Sequence, residues 1–171
     1  MATAWLGGCS GCHMSMLDMD ERLLDLAPRL ELACSPLADA KDVPEGLDVC
    51  LVEGAVASAE HAELARRLRA RTRVLVSLGD CAGTGNVTAL RDACGGAPAV
   101  LRRAWSGPGG EPLRPAPGLP PLLDLVLPLH AVVPVDVFLP GCPPSAGEIH
   151  RVLAALAAGE PPPPGGAARF G

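Results

Sequence analysis

The chain reads as an α/β protein with a single domain built on a doubly wound, mostly parallel sheet. Three observations predict this. Short apolar runs alternate with segments of helical spacing. The runs are almost unbroken in apolar character, as strands buried on both faces are. Glycine-containing turns follow several of them, where such sheets place their sites. The 171 residues suffice for one real core.

Residues 3–8 form the first expected strand, followed by a glycine loop over 9–14. Residues 15–26 have helical spacing, with Met16, Leu17, Met19, Leu23, Leu24 and Leu26 as one apolar stripe. Asp18, Asp20 and Glu21 suit the positive end of that helix, and Pro28 ends it. Residues 30–35 read as a second strand, 47–56 as a third and 72–78 as a fourth. Between the last two, 57–70 is a helix with a charged face. A short helix is expected over 87–93, a final strand over 133–139 and a final helix over 146–158. Residues 95–119 are rich in glycine and proline, and read as an irregular loop that orders on assembly. The domain is thus expected to span 1–160, with an extended tail over 161–171.

Composition excludes several functions. The aromatics are Trp5, Trp105, Phe138 and Phe170, with no tyrosine; that is too few for stacking on single-stranded nucleic acid. A net charge of −5 opposes binding to a phosphate backbone. No apolar stretch reaches the ~20 residues of a membrane span. Apolar residues still make up 49%, at a mean hydropathy of +0.28, so a large partner interface is expected. No export signal precedes the first strand, which predicts a cytoplasmic setting where thiols stay reduced.

Four of the seven cysteines follow predicted strands beside glycines. They are Cys9 and Cys12 in G-G-C-S-G-C-H, Cys81 in L-G-D-C-A-G-T-G-N and Cys142 in P-G-C-P-P-S. Four thiolates suit a four-iron four-sulfur cluster, which takes ligands singly from distant loops. A structural zinc site more often shows two close pairs, and a redox dithiol needs neither Cys81 nor Cys142. Zinc and free thiols stand as alternatives. Cys34 and Cys50 lie in apolar strands and read as core residues; Cys94, before two glycines, reads as partly exposed. His13 suits a contact to a cluster sulfur or a partner carbonyl, a part in passing protons, or a backbone bond at a helix start. Glu53 suits either bonding to a neighbouring loop's N–H groups or a proton or cofactor path. His130 is expected to face a partner, and His61 and His150 to lie on solvated helix faces. No dinucleotide fingerprint, phosphate loop or Ser-His-Asp arrangement is present.

The stretches C-S-G-C-H-M-S-M-L-D-M-D-E-R-L (9–23), V-E-G-A (52–55), S-L-G-D-C-A-G-T-G-N-V (77–87) and V-D-V-F-L-P-G-C-P-P-S-A (135–146) resemble the small subunits of nickel–iron hydrogenases. The resemblance is narrowest to those of cytoplasmic, bidirectional, NAD-reducing enzymes. It implies a flavodoxin-like fold, with Cys9, Cys12, Cys81 and Cys142 holding one proximal 4Fe-4S cluster. It implies a large subunit carrying the catalytic nickel–iron centre, and iron–sulfur and flavin diaphorase subunits that reduce NAD. FMN occurs near this subunit in some relatives, and no residue here is assigned to it. The fold is shared with the 20-kDa quinone-reductase subunit of respiratory complex I, which usually has adjacent cysteines where this chain has Cys9-Ser10-Gly11-Cys12. Other cytoplasmic hydrogenase classes often carry Glu at the place of His13.

Overall fold

The computed structural model describes residues 1–106 and 118–163. Its elements run in the order β1 (Ala2–Trp5), α1 (Gly11–Leu17), α2 (Arg22–Leu26), β2 (Leu47–Glu53), β3 (Val56–Ser58), α3 (Ala59–Arg71), β4 (Thr72–Leu78), α4 (Gly79–Thr84), α5 (Asn86–Ala93), α6 (Gly96–Ala104), β5 (Leu122–Leu127), a 3-10 turn (Leu129–Ala131), β6 (Val137–Leu139) and α7 (Ala146–Ala157).

The apolar strands make the main sheet. Its order is β1-β2-β4-β6, and every pairing is parallel. Because successive strand residues face opposite sides, β2 feeds two cores. Cys50 and Val52 pack with Ala62, Ala65 and Leu68 of α3. Val49 and Leu51 pack with Met16 of α1, Leu26 of α2, and Ile149, Val152 and Leu153 of α7. Helices on both faces are what a doubly wound sheet requires. Leu51, Leu75 and Leu78 are wholly buried; each such side chain contributes ~1.5–3 kcal/mol.

Residues 30–35 are not a strand. They touch the sheet at one point, a parallel bridge between Cys34 and Ala2. There Ala33 N–H donates to the Met1 carbonyl at 2.8 Å and Thr3 N–H to the Cys34 carbonyl at 2.9 Å. With that stub counted second, the order becomes 2-1-3-4-5, the flavodoxin arrangement with its switch point between the first and third strands. Ser35 turns inward to Thr3 instead of continuing the ladder.

Four other expectations need correction. The helix over 15–26 is two helices, broken at 18–21, where Asp20 takes a left-handed φ of 49°. Asp18 is therefore the C-cap of α1, and of the three acids Glu21 is the N-cap of α2, without a side-chain capping bond. Leu17 and Leu24 are exposed, while Met16, Met19 and Leu26 are buried. The strand over 47–56 breaks at Gly54, where a Cβ would stand 2.9 Å from the Gly7 and Leu6 backbone. Residues 56–58 then pair antiparallel with β5, a strand the sequence did not suggest. Within the expected loop over 95–119, residues 96–104 are helical and 107–117 lie outside the described residues. The last strand is only Val137–Leu139. The tail beyond 163 lies outside the described residues.

Candidate metal centre

The carboxyl ends of β1, β2, β4 and β6 point to one rim of the molecule, and the chain after each strand contributes to it. Cys9 and Cys12 follow β1, and Cys12 lies in the first turn of α1. Cys81 sits in α4, a short helix where a loop was expected. Cys142 follows β6 and is joined to Pro143 by a cis peptide. Cys12 and Cys81 are buried, while Cys9 and Cys142 are exposed.

The two buried thiols feel their surroundings. Burial pushes the Cys12 thiol far above its ordinary range; the Glu53 carboxylate adds to this, then Cys81, Cys9 and Cys142. Burial likewise raises Cys81, with Cys9 and Cys142 next and the Val87 N–H partly opposing. Four such sulfurs ionise together only beside compensating positive charge. Among the described residues, no group of three or more His, Cys, Asp or Glu is arranged to hold a single metal ion. Four cysteine sulfurs are the kind of donor set that an iron–sulfur cluster would take.

The loops are tied together by their own hydrogen bonds. Gly79 has φ 79°, and a Cβ there would stand 2.2 Å from Cys12 Sγ; only glycine lets the β4 and β1 loops meet. Asp80 N–H donates to the Gly141 carbonyl at 2.9 Å, and Gly141 N–H returns a bond to Asp80 Oδ1 at 2.8 Å. This joins the Cys81 and Cys142 segments. Ser15 Oγ donates to the Pro144 carbonyl at 2.6 Å, joining α1 to the Cys142 segment. Asn86 Nδ2 donates to Cys142 Sγ at 3.3 Å.

Glu53 ends β2 and is 1% exposed. Its carboxylate accepts the N–H of Cys12 at 3.4 Å and that of His13 at 2.9 Å. This is the loop-bonding role expected of it. The His13 ring is buried too. Its Nδ1 meets the same carboxylate, its Nε2 lies 3.1 Å from Thr3 Oγ1, and Thr3 Oγ1 lies 2.8 Å from Ser35 Oγ. His13 therefore bonds side chains, neither a sulfur nor the backbone alone. Cys34 and Cys50 are core residues, as expected, and Cys94 is exposed. His130 is exposed, its ring edge-on to Phe138 with centroids 5.7 Å apart. His61 is half-buried, not solvated: its Nδ1 accepts the Ala57 N–H at 3.3 Å, and burial lowers its pKa. His150 is half-buried as well.

The sequence alone assigns no role to Asp80, Ser15 or Asn86. The signal for Asp80 was its place one residue before a cysteine and one after a glycine.

The fold and sequence can be compared with those of known proteins. The family model of the NADH ubiquinone oxidoreductase 20-kDa subunit matches residues 9–156, and the chain belongs to this family. Within it, the delta subunit of the NAD-reducing hydrogenase HoxS from Cupriavidus necator is 41% identical over 167 residues, 94% of this chain and 79% of that one. A chain from the crystal structure of an NAD+-reducing [NiFe]-hydrogenase in the H2-reduced state aligns with a TM-score of 0.87 at 42% identity, covering 95% of this chain and 92% of that one. A component of the F420-non-reducing hydrogenase vhu from Methanocaldococcus jannaschii is 36% identical over 160 residues. The alignment covers 92% of this chain but 55% of that component, so the chain spans about half the length of such relatives. The resemblance drawn from the cysteine motifs is borne out.

Proposed function

We propose that the chain is the electron-transferring small subunit of a cytoplasmic, NAD-reducing nickel–iron hydrogenase, and that Cys9, Cys12, Cys81 and Cys142 hold one 4Fe-4S cluster. The observation that carries this reading is that four cysteines follow three separate strand ends at one rim, with the Cys81, Cys142 and α1 segments hydrogen-bonded to one another there. When bound, the cluster takes up and releases one electron at a time. The residues of this chain do the rest. The thiolates bind, and Asp80 and Ser15 hold the three segments in register. Glu53 fixes the Cys12 backbone. Leu78, Leu139 and Ile149 exclude water from behind the site.

The partners follow from what this chain lacks and exposes. It has no second pair of spaced cysteines for a nickel–iron centre, so a large subunit must bring that centre. Trp5, Met14 and Leu17, on either side of Cys9 in sequence, are exposed apolar side chains that suit burial against it. Iron–sulfur and flavin diaphorase subunits then pass electrons to NAD. No described helix is long and apolar enough to cross a membrane.

The test is Cys81→Ser in the assembled enzyme, with iron and sulfide counted anaerobically. Wild type should hold about four of each in this subunit, and the variant should lose hydrogen-driven NAD reduction while still being expressed. Normal turnover with full iron content in the variant would overturn the ligand assignment. One zinc per chain in wild type would favour a stapled scaffold instead.

A further inference from the structure

α5 begins where the Cys81 and Cys142 segments meet, and its first residue addresses a sulfur 56 positions away. The Asn86 amide lies 3.3 Å from Cys142 Sγ. A cluster-bound thiolate carries no proton and can only accept, so the amide must present its NH2 to it. Cys9 and Cys12 receive no side-chain donor among the described residues.

The amide is held in place by its surroundings. Asn86 has a left-handed φ of 35°, a conformation asparagine tolerates better than most residues. α5 itself is pinned to three other parts of the fold. Thr88 Oγ1 donates to the Gly7 carbonyl at 2.9 Å, and Arg91 Nη2 to the Leu123 carbonyl at 2.7 Å. The Val126 N–H donates to Asp92 Oδ2 at 2.9 Å. A helix so anchored holds its first side chain on the sulfur.

A hydrogen bond to a thiolate withdraws electron density from the iron it binds, and favours the reduced state, which carries one more negative charge. We propose that Asn86 is a redox-tuning residue whose amide N–H, donated to the Cys142 thiolate alone, raises the reduction potential of the cluster. This rests on the cluster reading above. One electron enters on reduction, and no bond is made or broken.

The variant is Asn86→Gly in the assembled enzyme. Glycine suits the left-handed backbone, so the change removes the donor without adding strain. Anaerobic dithionite titration followed by EPR should give full iron and sulfide content and a lower midpoint. About tenfold more oxidised cluster at a fixed potential corresponds to ~59 mV for one electron. Asn86 is also the sole asparagine of the chain, so side-chain 15N labelling of asparagine marks one amide in this subunit. The reduced wild-type cluster should show a 15N coupling in pulsed EPR that disappears in the variant. A loaded variant with the wild-type midpoint overturns the tuning role alone. Absence of any 15N coupling in wild type overturns it even if the variant fails to assemble. Absence of a cluster in the wild-type complex overturns the functional reading and the tuning together.

Discussion

At Gly79 the space a side chain would take is filled by the Cys12 sulfur. Gly79→Ala must displace that sulfur or move β4, and the left-handed backbone adds strain of ~1 kcal/mol or more. The expected outcome is a folded protein that loses most of its iron, read by metal analysis beside circular dichroism; full iron content would mean the sulfur is not held there. Glu53→Ala strips partners from the Cys12 and His13 N–H groups and from the His13 ring, all buried. Each orphaned group costs ~1–3 kcal/mol, so urea unfolding should show a loss of several kcal/mol. Cys50→Ala, far from the rim and wholly buried, should cost only about 1 kcal/mol and leave iron uptake intact. The bonding of Glu53 to the neighbouring loop could be read from the chain because Val52-Glu53-Gly54-Ala55 is a short local motif. The Thr3–Ser35 support of His13 could not, since it depends on where a failed strand turns inward.

Elements were legible where their signal was local. β4 matches its expected bounds, and α7 is announced by Ser145, which forms a full capping box with Glu148. The break between α1 and α2 was hidden because 15–26 keeps helical spacing through the turn. β5 was hidden because its partner, β3, is a three-residue remnant beyond a glycine. Asp136, just before β6, joins elements in a way no spacing reveals. It accepts the Leu75 N–H at 2.7 Å and pairs with Arg69 of α3. Burial would raise its pKa, but the Leu75 N–H and the Arg69 guanidinium outweigh this and hold it below its ordinary value of 3.8. A carboxylate with a depressed folded pKa adds stability that is complete above its unfolded pKa and fades as pH falls through the folded one. Asp136→Asn should therefore cost up to about 1 kcal/mol at neutral pH, limited by the exposure of the pair. The gap to wild type should shrink below about pH 4, where the unfolded carboxyl protonates. Equal gaps at pH 7 and pH 3 in urea titrations would exclude this role.

For the whole molecule, the convergence of residues 9, 12, 81 and 142 is a product of topology. In a parallel sheet every strand ends on the same side, so segments far apart in sequence become neighbours without long loops. That much followed from the alternation of strands and helices. The place of the second segment in the order depended on the Cys34 bridge to Ala2. That bridge has a further consequence. A sheet's outer strands display unpaired backbone that can template the stacking of stray chains. Here residues 33–35 blunt one border, and on the other β6 is three residues long. Among the described residues, neither border of the main sheet offers a long ribbon for a second molecule to extend.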